Sequence, residues 1–221
     1  CALPIYKPSW KLAARSDLYI YFYLHALSLL NDRGAFCFIT SNAWLDVGYG
    51  KDLQQFLLTR GQVKLVLDNQ VRRSFASADV NTVIVLLGPA QDAKTARQAS
   101  LRHTARFVML SVPFEDVLTP AIWEKVERVT TRHTTPDYRV FPITQADLLE
   151  NGMDERQRFS GDKWGGKYLR APDIYWIIME KAQDKLVRLG DIADVRRGFT
   201  TGANAFFYLD EEAIAQWGIE E

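Results

Sequence analysis

The chain has 221 residues, 48% of them apolar and 24% charged, with 27 basic and 27 acidic side chains and a formal net charge of zero. That is ample material for the core of one large domain or two small ones, and it excludes a globally basic nucleic-acid binder, so any such surface is local. No apolar run approaches the roughly 20 residues that span a bilayer, and the two cysteines, Cys1 and Cys37, make no disulfide framework, which fits a reducing cytoplasm.

In chain order, CALPIY (1–6) carries neither a start methionine nor an element boundary. Written back into codons it can be read as the end of a common sequencing adapter. It therefore reads as a scar on a truncated gene, with 1–15 a partial N-terminal segment.

Ser16-Asp17 is a good helix start: a side-chain oxygen can cap free amides, and an acid suits the positive end of the dipole. Leu18, Phe22, Ala26, Leu29 and Leu30 predict one apolar stripe, with Gly34 as a left-handed stop. Ala35 to Ile39 predicts a strand covered on both faces, as in a parallel sheet. A second helix from about Gly50 presents Leu53, Phe56 and Leu57 and ends at Gly61. Val63–Leu67 and Val80–Leu87 predict two further strands.

Helix and strand alternating through short links imply crossover units and a doubly wound α/β sheet. Asp68 to Asp79 is too short for a crossover helix, so the last two strands should pair antiparallel. Beyond Gly88-Pro89 the chain turns polar and basic, with Lys94, Arg97, Arg102 and Arg106. Phe107–Leu110 predicts an edge strand, Pro120–Val129 a short helix and Thr130–Pro136 a loop. Glu150–Gly166 reads as a linker, Asp173–Lys181 as a helix with Ile174, Ile177 and Ile178 on its pattern, and Leu189 onward as a β-rich module.

Three patterns carry a resemblance. Asp17-Leu18-Tyr19-x-x-Phe22 opens a helix. Gly34 precedes a strand ending Thr40-Ser41-Asn42-Ala43-Trp44-Leu45. Phe75 is followed at a fixed interval by Val80-Asn81-Thr82-Val83. Together they resemble the N6-adenine-specific DNA methyltransferases, in particular the type IIG restriction–modification enzymes, over Ser16–Leu87 and again over Lys163–Asp210.

The resemblance implies that 16–111 is the C-terminal half of a doubly wound, Rossmann-like methyltransferase sheet ending in an antiparallel hairpin. Residues 112–188 would be a connecting region, and 189–221 the start of a mixed α+β target-recognition domain. It implies S-adenosylmethionine as cofactor, double-stranded DNA as partner, no membrane, and a restriction nuclease either fused or separate.

The resemblance also assigns residues. Phe22 would pack on the adenine ring of S-adenosylmethionine, although it lies equally on the apolar stripe. Asp17 would lie near the cofactor pocket, although a helix-start charge explains it as well. Phe75 would stack on the flipped adenine. It stands in a polar loop, RRSFASAD, where periodicity gives a large apolar residue no reason to be. Enzymes that modify a base must first extract it, and stacking on an aromatic ring is worth roughly 1–3 kcal/mol per base.

Arg72 and Arg73 beside it could meet phosphates, or could simply form a solvated turn. The block Lys167-Tyr168-Leu169-Arg170-Ala171-Pro172-Asp173 and Leu189–Asp210 resembles the entry to a target-recognition domain. There Arg196, Arg197, Thr200, Thr201 and Asn204 suit contacts to a DNA backbone, though a plain turn accounts for each alone. The glycine-bearing stretch Gly198–Asn204 is not a nucleotide P-loop, because the lysine and its spacing are absent. Trp44 reads as a structural cap on the sheet edge. His25, His103 and His133 are scattered and suggest neither a metal site nor a nucleophile's base.

The departures weigh as much as the matches. The family frees the adenine amine's lone pair with an Asn/Asp-Pro-Pro-Tyr/Phe motif, and this sequence has none. Nor has it the glycine-rich loop that follows a first strand in the family. This chain alone is therefore expected to be inactive. The competing expectations are a DNA-sequence-recognition module that partners a separate methylase subunit, and a related methyltransferase acting on RNA or protein.

Overall fold

The computed structural model describes residues 12–31, 33–69, 80–88, 100–117, 119–187, 189–196, 198, 202 and 204–219. The chain divides into two compact units, Cys1–Pro172 and Asp173–Glu221.

The first unit is built on a six-stranded mixed sheet in the order β1-β3-β2-β4-β6-β5. Its strands are β1 (Phe36–Ser41), β2 (Gln62–Asn69), β3 (Thr82–Gly88), β4 (Thr104–Leu110), β5 (His133–Thr134) and β6 (Tyr138–Thr144). β3 lies antiparallel between β1 and β2, so the expected hairpin of β2 and β3 is present. β2 and β4 form the one parallel pair, and β6 pairs antiparallel with both β4 and β5. The sheet is thus mostly antiparallel where short helix-strand links had suggested parallel crossovers.

Two strand expectations are corrected. β1 is a border strand, bonded among the described strands only to β3, with Cys37 and Ile39 exposed. A run of apolar residues therefore signals one packed face here, not two. β4, expected at the edge, is interior between β2 and β6. β6 supplies the neighbour, and its alternating YRVFPIT gives little contrast to periodicity.

One face of the sheet carries Phe36, Phe38, Val85, Leu87 and Phe107. It is covered by helix α1 (Leu18–Ser28), helix α2 (Gly50–Arg60) and the segment around Trp164. In α1 the buried residues are Ile20, Tyr23, Leu24 and Leu27. The predicted stripe lies outward instead, with Leu18 61%, Phe22 46% and Leu29 71% exposed. LYIYFYLHALS is apolar nearly all round, so spacing alone selects no face. Tyr23 decides it: its ring meets Phe36, Phe38 and Trp44 at 5.8, 5.1 and 5.9 Å between centroids, and its hydroxyl bonds Thr40 Oγ1 at 3.2 Å.

The helix also stops at Ser28, capped at Leu29, well before Gly34. Gly34 shows no left-handed backbone. α2 ends at Gly61 as expected, with Leu53, Phe56 and Leu57 buried.

The other face packs Leu67, Val108, Leu110 and Val140 under helix α3 (Pro120–Arg128). Residues 112–172, expected as a connection, thus supply two strands, α3 and helix α4 (Gln145–Asn151) to the same unit. The expected linker holds Trp164, which is fully buried, and a β-bridge between Met153 and Phe159. Trp44, read as a cap on the sheet edge, is itself fully buried.

The second unit contains helices α5 (Asp173–Lys181), α6 (Leu189–Ile192), α7 (Asn204–Phe207) and α8 (Glu211–Trp217). Its described residues include no strand, so the β-rich expectation from Leu189 is corrected. The local chemistry explains α8. Asp210 accepts from the Ala213 N–H at 2.8 Å, and Gly218, at φ 62°, closes the helix in the left-handed conformation. Ile174, Ile177 and Ile178 are exposed on α5. No described helix is long and apolar enough to cross a membrane.

Candidate functional site

β1, β2 and β4 run in one direction, so Ser41, Asn69 and Leu110 end at the same edge of the sheet. In open α/β sheets ligands are received outside the carboxyl ends of such strands. A charged and amide-bearing cluster stands there.

Asn42 follows β1 directly. Its Nδ2 donates to Asp68 Oδ2 at 3.3 Å, and its backbone N–H donates to the Asn81 carbonyl at 3.0 Å. It therefore ties the end of β2 to the approach of β3. Asp68 also accepts from the Asn69 N–H at 2.8 Å. Arg170 reaches in from the π-helical turn Gly165–Arg170. Its Nη1 stands 3.5 Å from Asp68 Oδ2, and its Nη2 pairs with Asp46 Oδ2. Asp46 further accepts from the Gly166 N–H at 2.9 Å, and its carbonyl from Lys163 Nζ.

Burial pushes the Asp68 carboxyl above its ordinary value, and neighbouring Asp46 adds to this. Asn42, the Asn69 amide and Arg170 pull it back. Gly165 has a steric reason to be glycine: a Cβ there would overlap Asp46 Oδ2 and Arg170 Nη2.

On the α1 side, Tyr19 and Tyr49 share a hydroxyl hydrogen bond of 2.9 Å. Burial first, then Tyr49, holds the Tyr19 phenol far above its usual range. The sequence reading missed this tyrosine pair, Asn42, Asp46, Asp68 and Arg170. Their signal was positional for three of them: Asn42, Asp46 and Asp68 come after a predicted strand end, whereas Tyr19, Tyr49 and Arg170 do not.

The expected site residues fall in three groups. Asp17 caps α1, its carboxylate accepting from the Leu18 N–H at 2.7 Å. Phe22 is half-exposed on the outer face of the same helix, so the core does not claim its ring. Leu18, one turn earlier, is exposed as well, so the two apolar side chains stand together on that outer face. Arg196 is exposed and paired with Asp194 (Nε to Oδ2 2.8 Å). Phe75, Arg72, Arg73, Arg197, Thr200 and Thr201 lie outside the described residues, as does the side chain of Asn204. The described residues on either side of 70–79, Asn69 and Val80, stand at the strand-end edge. Among the described residues no group of three or more His, Cys, Asp or Glu side chains could hold a metal ion.

The first unit is thus an open mixed α/β sheet with a polar, charge-paired edge at its parallel strand ends. The comparisons give that class a more particular likeness. Residues 4–75 match the Eco57I restriction-modification methylase family, and residues 161–221 match the C-terminal domain of the type II methyltransferase M.Eco57I. Over both stretches the chain is similar to a restriction–modification methylase.

No curated protein matches the sequence. Among solved structures, the type IIG restriction endonuclease BpuSI is 14% identical with a TM-score of 0.45, over 90% of this chain and 22% of that one. A type I methyltransferase subunit from Streptococcus thermophilus is 16% identical with a TM-score of 0.46, over 71% of this chain and 32% of that one. The EcoKI M protein is 13% identical with a TM-score of 0.42, over 93% of this chain and 47% of that one. The chain spans less than half the length of each.

Proposed function

We propose that the chain is part of a site-specific adenine-N6 DNA methyltransferase of a restriction–modification system, of the type IIG kind. In this reading the first unit is the C-terminal half of a doubly wound sheet, and 189–221 opens the target-recognition domain. When bound, S-adenosylmethionine supplies the methyl group.

The chain's own residues bind and hold. Phe22 offers its ring to the cofactor's adenine, with Asp17 nearby at the helix start. Phe75 receives the flipped adenine by stacking. Arg72, Arg73, Arg196, Arg197, Thr200, Thr201 and Asn204 meet the DNA backbone around the target. Since the chain holds no Asn/Asp-Pro-Pro-Tyr/Phe motif, it does not methylate alone. A nuclease, fused or separate, completes the system.

The observation that carries this reading is convergence. Asp46 and Asp68, from the stretch that matches the methylase family, and Arg170, from the stretch that matches its C-terminal domain, meet at one strand-end edge. The experiment replaces Phe75 by Ala in the intact protein that carries this chain. Methylation of duplex DNA should fall about tenfold or more while cofactor affinity holds, as expected for a loss of roughly 1–3 kcal/mol of stacking. Normal methylation by Phe75→Ala would sink the assignment. The second reading, a recognition module serving a separate methylase subunit, is favoured if a second chain must be added before any methyl transfer occurs.

A further inference from the structure

Arg170 is the one described cation placed between two carboxylates at the strand-end edge, Asp46 just after β1 and Asp68 at the end of β2. Several features around it are specific to holding it there. Gly165 leaves the space that the Asp46–Arg170 contact fills. The Gly166 amide, in that turn, and Lys163, just before it, fix Asp46. Arg139, on β6, donates to the Leu169 carbonyl at 2.5 Å and the Ala171 carbonyl at 3.2 Å, pinning the backbone on both sides of Arg170. Asn42 extends the network from Asp68 to the approach of β3. The guanidinium, whose planar fork can meet two carboxylates at once, therefore joins the segment after β1 to the end of β2, and Asn42 carries the link on from Asp68 to the approach of β3.

We propose that Arg170, with Asp46 as its anchor, is a positioning residue for adenine capture. It holds the strand ends at the geometry in which the extruded base is received, and acts there rather than on methyl-donor binding. This rests on the function proposed above. Misplacing a reacting geometry by about 1 Å can cost about 100-fold, so a clamp outside the chemistry can control the rate.

The test uses the intact protein and duplex DNA with 2-aminopurine at the target adenine, whose fluorescence rises when the base leaves the stack. Arg170→Met and, independently, Gly165→Ala, which wedges the pair apart without removing a charge, should each lower that rise roughly tenfold. Their affinity for S-adenosylmethionine should stay within about twofold of the parent, and Arg170→Lys should restore part of the signal. The proposal is overturned if both variants extrude the base normally, or if cofactor affinity falls in parallel with extrusion, which marks a general structural role. An unfolded Arg170→Met leaves Gly165→Ala and Arg170→Lys to decide. If the parent protein itself extrudes no adenine, the proposed function fails and this inference fails with it; a parent that extrudes beside variants that also do so removes the Arg170 role alone.

Discussion

Trp44 and Trp164, 120 positions apart in the chain, meet edge to face at 5.7 Å between ring centroids, and both are fully buried. Trp44 lies in the short helical turn Asn42–Leu45 that follows β1, and Trp164 caps the π-helical turn bearing Arg170. Their contact continues through Phe107 at 5.5 Å to Tyr168 at 5.1 Å, an aromatic file that binds the two matched stretches into one core. Gln54 reinforces it by gripping one residue twice. Its amide donates to the Asp162 carbonyl at 2.9 Å, and its oxygen accepts from the Asp162 N–H at 3.0 Å.

Trp164→Ala should therefore destabilise the chain by about 3–5 kcal/mol, the usual cost of deleting a large buried aromatic. Trp164→Phe should cost much less, because the indole N–H has no acceptor among the described residues. Urea unfolding monitored by circular dichroism reads both. Equal losses for the two variants would contradict this account.

Gln145 is completely buried and serves three backbone groups. It accepts from Val63 N–H at 2.8 Å and donates to the carbonyls of Leu58 at 3.1 Å and Gly61 at 3.2 Å. Gln145→Leu keeps most of the volume and strands all three, so a loss of about 2–4 kcal/mol is expected. A thermal unfolding midpoint unchanged from the parent would refute it.

His103 gives a pH dependence of fixed sign. Burial first, then Lys64 and Arg106, lowers its pKa below the ordinary 6.5, and its Nε2 has no partner among the described residues. Below pH 6.5 the unfolded chain takes up a proton that the folded one resists. Stability from this group is therefore full above pH 6.5 and falls as pH drops from there towards the lowered folded value. His103→Gln should flatten that part of the stability–pH curve; a curve that keeps its acid slope in the variant would assign the effect elsewhere.

Phe22→Ala removes a half-exposed ring, so the fold should lose little while the intact protein binds S-adenosylmethionine about fivefold more weakly, the equivalent of roughly 1 kcal/mol of aromatic contact. Calorimetric titration with the cofactor measures it. A large loss of stability with unchanged affinity would return Phe22 to a packing role.

The sequence made the existence of strands β1 to β3, the antiparallel pairing of β2 with β3 and the buried face of α2 legible, because each is a short apolar run or a clear period bounded by turn residues. It misassigned the buried face of α1, where almost every position is apolar and only the fit of Tyr23 against Phe36, Phe38 and Trp44 breaks the tie. β6 and the packing of Trp164 were invisible because they depend on partners distant in sequence, Arg106 to Leu110 and Trp44. The charged edge escaped for the same reason: Asp46, Asp68 and Arg170 look like ordinary surface charges until the fold brings them together.

Adenine-N6 methylation of duplex DNA is read in a single assay. The intact protein is incubated with isotopically labelled S-adenosylmethionine and duplex DNA, and the digested nucleosides are separated by mass spectrometry. Label is expected in N6-methyladenine, at a fixed sequence context, with the signal reduced about tenfold or more in Phe75→Ala. Label in methylcytosine, label in RNA supplied as competitor, or no transfer to DNA at all would contradict it.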